Sequence, residues 1–160
     1  MARLWSCGFE LNSAVTGVEY GDGTDLGLAN SSQVVTTKVR SGTYAGKTSG
    51  GSAIWKATPT ANLTFVRFYF LFDFTPSGSD LTVFQFMSTG NATQGSIRIT
   101  NQRRLKLTDR NNNQIGDTTE SLSTNTWYRI EAKVDSTGGV SAGVLEARLT
   151  GSVFASSSTV

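Results

Sequence analysis

Residues 62–74 read Asn-Leu-Thr-Phe-Val-Arg-Phe-Tyr-Phe-Leu-Phe-Asp-Phe. Taken two at a time, Val66, Phe68, Phe70, Phe72 and Phe74 fall on one side, and Phe65, Arg67, Tyr69, Leu71 and Asp73 on the other. Side chains alternate across a pleated strand and aromatic rings fit its half-buried surface, so this period predicts a long β-strand. One wholly apolar face and one mixed face predict a strand in the middle of a sheet. Its phenylalanine stripe would press on a second sheet and its mixed face would line a partly wet surface.

The rest of the chain reads as neighbours for that strand. Leu4 to Leu11 alternates loosely, with Trp5, Cys7 and Phe9 inward, and a short strand is expected around Val18 to Tyr20 within a glycine-rich connection. Gln33 to Val39 places Val35, Thr37 and Val39 on one side, Tyr44-Ala45 begins another strand, and Ala53 to Ala57 is a further short one. Pro76-Ser77-Gly78 is a turn, after which Asp80 to Met87 reads as the hairpin partner of the phenylalanine strand. Gly90 to Gly95 reads as a turn, followed by strands at Ser96 to Thr100 and Arg104 to Thr108, a turn at Asp109 to Asn113 and a short return from Ile115. Tyr128, Ile130, Ala132 and Val134 share one face of a second core strand, and after Gly138-Gly139 the chain runs back with Leu145, Ala147 and Leu149 inward. No stretch carries a convincing helical period, nor is an internal repeat or second domain visible.

Length and composition agree with this pattern. One domain suits 160 residues, which suffice to bury a core without covalent staples. Apolar residues make up 38% and charged ones 16%. The balance of Ser, Thr, Asn and Gly favours short strands joined by polar turns. A formal net charge of +2 argues neither for nucleic acid nor for a membrane surface, and no apolar run reaches the length of a membrane helix. A soluble protein is expected. Cys7 is the only cysteine and histidine is absent, which excludes an intramolecular disulfide, thiol-imidazole pairs and the Ser-His-Asp triad. Cys7 is read as core. The first ten residues lack the apolar stretch of a secretory signal, so the sequons at Asn30, Asn62 and Asn91 carry no weight as glycosylation sites.

About ten short strands at near-regular spacing predict an all-β sandwich or barrel. Several blocks then resemble a known family: Trp5-Ser6-Cys7-Gly8-Phe9-Glu10, Val39-Arg40-Ser41-Gly42-Thr43-Tyr44-Ala45, Phe68-Tyr69-Phe70, Leu105-Lys106-Leu107 and Thr126-Trp127-Tyr128-Arg129-Ile130-Glu131. Their order from Leu4 to Gly151 resembles a concanavalin A-like jelly roll of the LamG-like type. The resemblance implies an antiparallel two-sheet jelly-roll sandwich spanning residues 1–160, one sheet curved, whose concave face holds a carbohydrate or a protein. It also implies that the last strands are missing, since only Val153-Phe154 remains apolar after Leu149-Thr150-Gly151. The family includes glycosidases, adhesion modules and structural proteins of tailed phages. The lone cysteine and the start without a signal look more like the phage proteins.

Four constellations are candidates for chemistry. Glycosidases of this fold resemble one another in a Glu-x-Asp-x-x-Glu string, which is absent here; Glu131 and Glu146 remain as a carboxylate pair across neighbouring strands, read as surface partners of Arg129, Lys133 and Arg148. Asp109, Asn111 and Asn113, with Asp117 nearby, resemble a calcium loop, but Gln114 stands where the turn glycine belongs and no closing glutamate follows. Asp22 and Asp25 are a weaker version. Arg98, Arg103, Arg104, Lys106 and Arg110, opposed nearby by Asp109 alone, form a basic patch or the wet face of a hairpin. Trp55, Tyr44 and Tyr69 are the rings on which a sugar could stack, whereas Trp5 and Trp127 are read as core.

These readings combine into a non-catalytic structural or surface-attachment module, a phage virion protein of head or tail made in the host cytoplasm. The alternatives are a bacterial extracellular carbohydrate-binding module and, third, a glycoside hydrolase. Expected partners are further copies of the chain, other virion proteins or cell-surface glycans, with no specific nucleic acid and no membrane; no cofactor or metal is expected. An unpaired sheet edge is expected to take part in assembly.

Overall fold

The structure is a computed structural model of the chain and describes residues 26–28, 33–48, 54–56, 61–88, 90–137 and 143–157. Every regular element among these is a β-strand, and every strand pairing is antiparallel. The chain divides into two compact units, Met1–Pro59 and Thr60–Val160. In the first, β1 (Leu26–Leu28) pairs with β4 (Ile54–Lys56), and β2 (Gln33–Val35) pairs with β3 (Ala45–Lys47). The strand expected over Gln33 to Val39 stops early because Lys38 takes a left-handed φ of 55°, which no extended run can contain. The expected strands at Leu4 to Leu11 and Val18 to Tyr20, Cys7 and Trp5 among them, lie outside the described residues, as do Gly138-Gly139, Asp22 and Asn30.

The second unit is an all-β sandwich. One sheet has the order β12-β11-β10-β5, built from Ser152–Ser157, Val144–Leu149, Tyr128–Asp135 and Leu63–Phe70. The other, β6-β7-β8-β9, is built from Leu81–Met87, Thr93–Ile99, Leu105–Asp109 and Gln114–Asp117. Strands β6 to β9 follow one another as a meander, and the chain changes sheet after β5 and after β9. Local chemistry sets the turns. Asn91, Asn112 and Asn125 accept left-handed φ values that asparagine tolerates, and Thr150 with Gly151 makes the doubly left-handed corner of the β11–β12 hairpin.

The inner faces meet in one cluster. Ile97, Ile99, Leu105 and Leu107 of one sheet and Ile130, Ala132, Leu145 and Ala147 of the other are buried, with Phe72, Phe86, Leu122 and Ala155 closing the cluster. Burying each large aliphatic side chain stabilises by about 1.5–3 kcal/mol. The two faces interlock at glycines. A β-carbon at Gly95 would stand 2.4 Å from Leu145 Cδ2, and one at Gly116 would stand 3.1 Å from Ala155 Cβ. Thus β7 packs under β11, and β9 closes on β12 along one side of the sandwich. Along the other side the core is aromatic: Phe68 of β5 stacks on Phe84 of β6 at 5.2 Å, and Phe84 meets Phe86 edge-on at 4.9 Å.

Several expectations are corrected by this arrangement. Among the described strands the phenylalanine strand β5 pairs with β10 alone, so no second neighbour of the expected mid-sheet strand is seen among them. Nor is β6 its hairpin partner, since Pro76-Ser77-Gly78 lies on a crossover to the opposite sheet. Val66, Phe68, Phe70 and Phe72 do pack inward, but Phe74 at the end of the stripe is 51% exposed. The turn expected over Gly90 to Gly95 is confined to Ser88–Ala92, closed by Ser88 N donating to Ala92 O at 2.9 Å, and Gly95 is buried inside β7. Val153-Phe154 belongs to a full edge strand, β12, which carries a bulge opposite Arg148. Trp127 is half-buried and outside the hydrophobic cluster.

Candidate functional site

The pairings of β5 with β10 and of β10 with β11 assemble the outer face of the first sheet. Because Tyr128, Ile130, Ala132 and Val134 point inward, Arg129, Glu131, Lys133 and Asp135 point outward, beside Leu63, Phe65, Arg67 and Tyr69 of β5. Register sets Arg67 against Glu131, Phe65 against Lys133 and Tyr69 against Arg129. Arg67 Nε donates to Glu131 Oε1 at 2.8 Å, and Arg129 Nε lies 3.7 Å from the same oxygen, which is ion-pair distance but no hydrogen bond. One turn away in the sheet, Arg148 Nε donates to Glu146 Oε1 at 2.8 Å. Both candidate carboxylates therefore share a face, and each spends a lone pair on an arginine. Sequence reasoning gave Arg148 as a partner of this pair but missed Arg67, which reaches Glu131 only through the long-range pairing of β5 with β10.

The same face bears an apolar margin. Leu63 is 40% exposed, Phe65 50% and Tyr69 39%, all on the outer side of β5. Leu81 and Met87 of β6, in the other sheet, are also exposed. Among the described strands, β5 and β6 each have a neighbour on one side only. Nothing in the local alternation distinguishes an exposed phenylalanine from a core one.

The outer face of the second sheet carries the basic residues. Arg98 of β7 opposes Lys106 of β8, and Lys106 opposes Asp117 of β9. Lys106 is ion-paired with Asp80, Arg104 Nη1 lies 3.8 Å from Asp117 Oδ2, and Arg98 Nη2 donates to Asn112 Oδ1 at 2.5 Å. Arg98, Arg104 and Lys106 thus come together, but with Asp80 and Asp117 among them; Arg103 and Arg110 sit in the flanking turns. Beneath Arg98, Ser96 Oγ and Thr108 Oγ1 share a buried hydrogen bond of 2.7 Å, and Arg98 Nε donates to Ser96 Oγ at 3.2 Å. This buried hydroxyl pair was not foreseen, since Ser and Thr alone give no signal of burial.

The calcium-like loop is an asparagine-rich turn. Asp109 Oδ1 accepts from the backbone N–H groups of Asn111 and Asn113, both at 2.8 Å, and Oδ2 accepts from Asn113 Nδ2 at 3.0 Å. Partial burial pushes the Asp109 carboxyl up, but hydrogen bonds from the Asn113 side chain and from the backbone of Asn113 and Asn111, with the charge of Arg110, outweigh it and hold the carboxyl below the usual range. The Thr137 side chain and backbone do the same for Asp135. No cluster of three or more metal-ligating Cys, Asp or Glu side chains occurs among the described residues. Of the three sugar-stacking candidates, Tyr69 stands on the outer face of β5, whereas half-buried Tyr44 and, on β4, Trp55 belong to the first unit.

No known protein family matches the chain, and neither a curated protein nor a solved structure matches it.

Proposed function

We propose that the protein is a non-catalytic structural and attachment module that works docked on a larger assembly. The observation that carries this reading is the outer face of β5, where Leu63, Phe65 and Tyr69 are exposed beside the Arg67–Glu131 pair. Large apolar side chains exposed together on a sheet face are costly to leave in water and form a surface for docking. The resemblance of the sequence blocks to LamG-like jelly rolls favours a phage particle as the assembly, with the protein on its head or tail. Particles purified from a lysate of the producing host test the reading. The chain is expected to co-sediment with them at fixed stoichiometry. Recovery in the soluble fraction alone, or polysaccharide turnover that is lost on Glu131→Gln, would overturn it.

One observation favours carbohydrate binding as the second reading. The Tyr69 ring is 39% exposed on a flat sheet face, near a guanidinium and a carboxylate able to fix hydroxyl groups. A glycan array on which binding disappears with Tyr69→Ala would favour this reading over the first.

A further inference from the structure

Arg98 lies near the end of β7, half-buried on the outer face of the second sheet. Its Nε donates to Ser96 Oγ at 3.2 Å, and its Nη2 donates to Asn112 Oδ1 at 2.5 Å. Both acceptors are neutral. Among the described residues no carboxylate lies within ion-pair distance of this guanidinium, and no acceptor is bonded to Nη1. We propose that Arg98 anchors an oxyanion-binding site, in which the open end of the guanidinium holds two oxygens of a phosphate, sulfate or carboxylate group.

The site is supported from beneath. Arginine only donates, so Ser96 Oγ accepts from Nε and sends its own hydroxyl hydrogen to Thr108 Oγ1, 2.7 Å away. Thr108 Oγ1 donates onward to the Ser96 carbonyl in a long bond of 3.4 Å. Ser96 is 1% exposed and Thr108 0%, so water does not compete for this chain, and the lone pair offered to Nε keeps its direction. Asn112 holds the guanidinium from the β8–β9 turn, where its own N–H donates to Asp109 O at 3.1 Å. With Nε and Nη2 engaged, both hydrogens of Nη1 and one of Nη2 remain, and adjacent guanidinium nitrogens bind oxyanions in a bidentate manner.

Charge points the same way. Lys106, directly across from Arg98, is ion-paired with Asp80, and the Arg110 charge acts on Asp109. Those cations have carboxylates, whereas Arg98 has only an amide and a hydroxyl oxygen. Neutral acceptors orient a cation without cancelling its charge, and partial burial makes that charge costlier to leave uncompensated. A bound oxyanion supplies the countercharge at a group already aimed, so little side-chain order remains to be imposed. The site is on the opposite face of the sandwich from the β5 surface and goes beyond the attachment reading, which stands whether or not an oxyanion binds here.

Nuclear magnetic resonance of the labelled full chain tests the proposal, with sodium phosphate, sulfate or acetate replacing sodium chloride at constant ionic strength. Shifts should saturate at the Arg98 Nε–H and at the backbone amides of Ser96, Arg98 and Asn112, with dissociation in roughly the millimolar range. Phosphate carries more charge than acetate at neutral pH and should bind more tightly. Arg98→Lys keeps the charge but removes the planar fork, and should weaken binding by about tenfold. Asn112→Asp places a carboxylate beside Nη2 and should abolish binding by supplying the countercharge from within. Asn112 is exposed and aspartate tolerates its left-handed φ of 65°, so this variant keeps the test open if lysine at position 98 disturbs the sheet; melting midpoints confirm folding of both. Shifts that grow without saturating, that are equally large at Arg103 and Arg110, or that persist in Asn112→Asp would each overturn the proposal.

Discussion

Replacing Gly95 by alanine probes how the two sheets interlock. The new methyl would lie 2.4 Å from Leu145 Cδ2, 3.1 Å from Cδ1 and 3.3 Å from Cγ. The shortest of these is about 1 Å inside the separation at which carbon atoms ordinarily touch. Leu145 is fully buried on β11, so it cannot swing away without striking another core side chain. Overpacking of this kind costs about 1–3 kcal/mol. Gly95 is not among the glycines with positive φ, so alanine fits the backbone and recovers about 0.4–1 kcal/mol by narrowing the unfolded ensemble. The net loss for Gly95→Ala is therefore about 1–2 kcal/mol. Leu145→Ala alone should cost about 2–5 kcal/mol through the cavity that it leaves. In that background the methyl at position 95 enters vacated space, so the same substitution becomes neutral or stabilising. Urea titration of the parent, both single variants and the double variant measures the change of sign directly. If Gly95→Ala costs the same in both backgrounds within about 0.5 kcal/mol, the residues do not touch and the facing of β7 on β11 is wrong.

Two further outcomes follow from burial and charge. Ile130 is fully buried in a strand paired on both sides, whereas Phe70 is half-buried at the end of β5, its ring beside Phe72 and Tyr128; Ile130→Ala should lower stability by about 2–5 kcal/mol, and Phe70→Ala by less than the 3–5 kcal/mol of a fully enclosed phenylalanine, as read from chemical denaturation. The depressed Asp109 carboxyl contributes stability that is present above its unfolded value near 3.8 and is lost as pH falls through the still lower folded value; an acid titration of the melting point should therefore be shallower below about pH 4 for Asp109→Asn than for the parent.

Strand identity was legible where alternation and burial coincide. Tyr128, Ile130, Ala132 and Val134 face inward as their spacing requires, and so do Leu145, Ala147 and Leu149 across from them. The place of β5 was not legible, because a period of two tells which face is apolar but not which strands lie alongside. The mixed face of β5 was expected to line a partly wet surface, and Phe65 and Tyr69 are exposed there. Glycines misled in a similar way. Gly95 suggested a turn, whereas it sits inside β7 because Leu145 occupies the space a side chain would need. β12 was hidden by small residues; Ala155 is nonetheless a core position, held against Gly116. The ion pairs divide along the same line: Glu146 with Arg148 is local to one strand and was readable, whereas Arg67 with Glu131, Asp80 with Lys106 and Asp117 with Arg104 depend on register between strands.

Amide hydrogen exchange, followed residue by residue, bears most directly on the sandwich and its central strands. Strands β10 and β7 are each paired on both sides and should give slow exchange throughout, whereas the exposed turn at Asn101 and Gln102 should exchange fast. Fast exchange along Tyr128–Asp135 would contradict the account, because the amides of β10 that face β5 or β11 would then be unpaired.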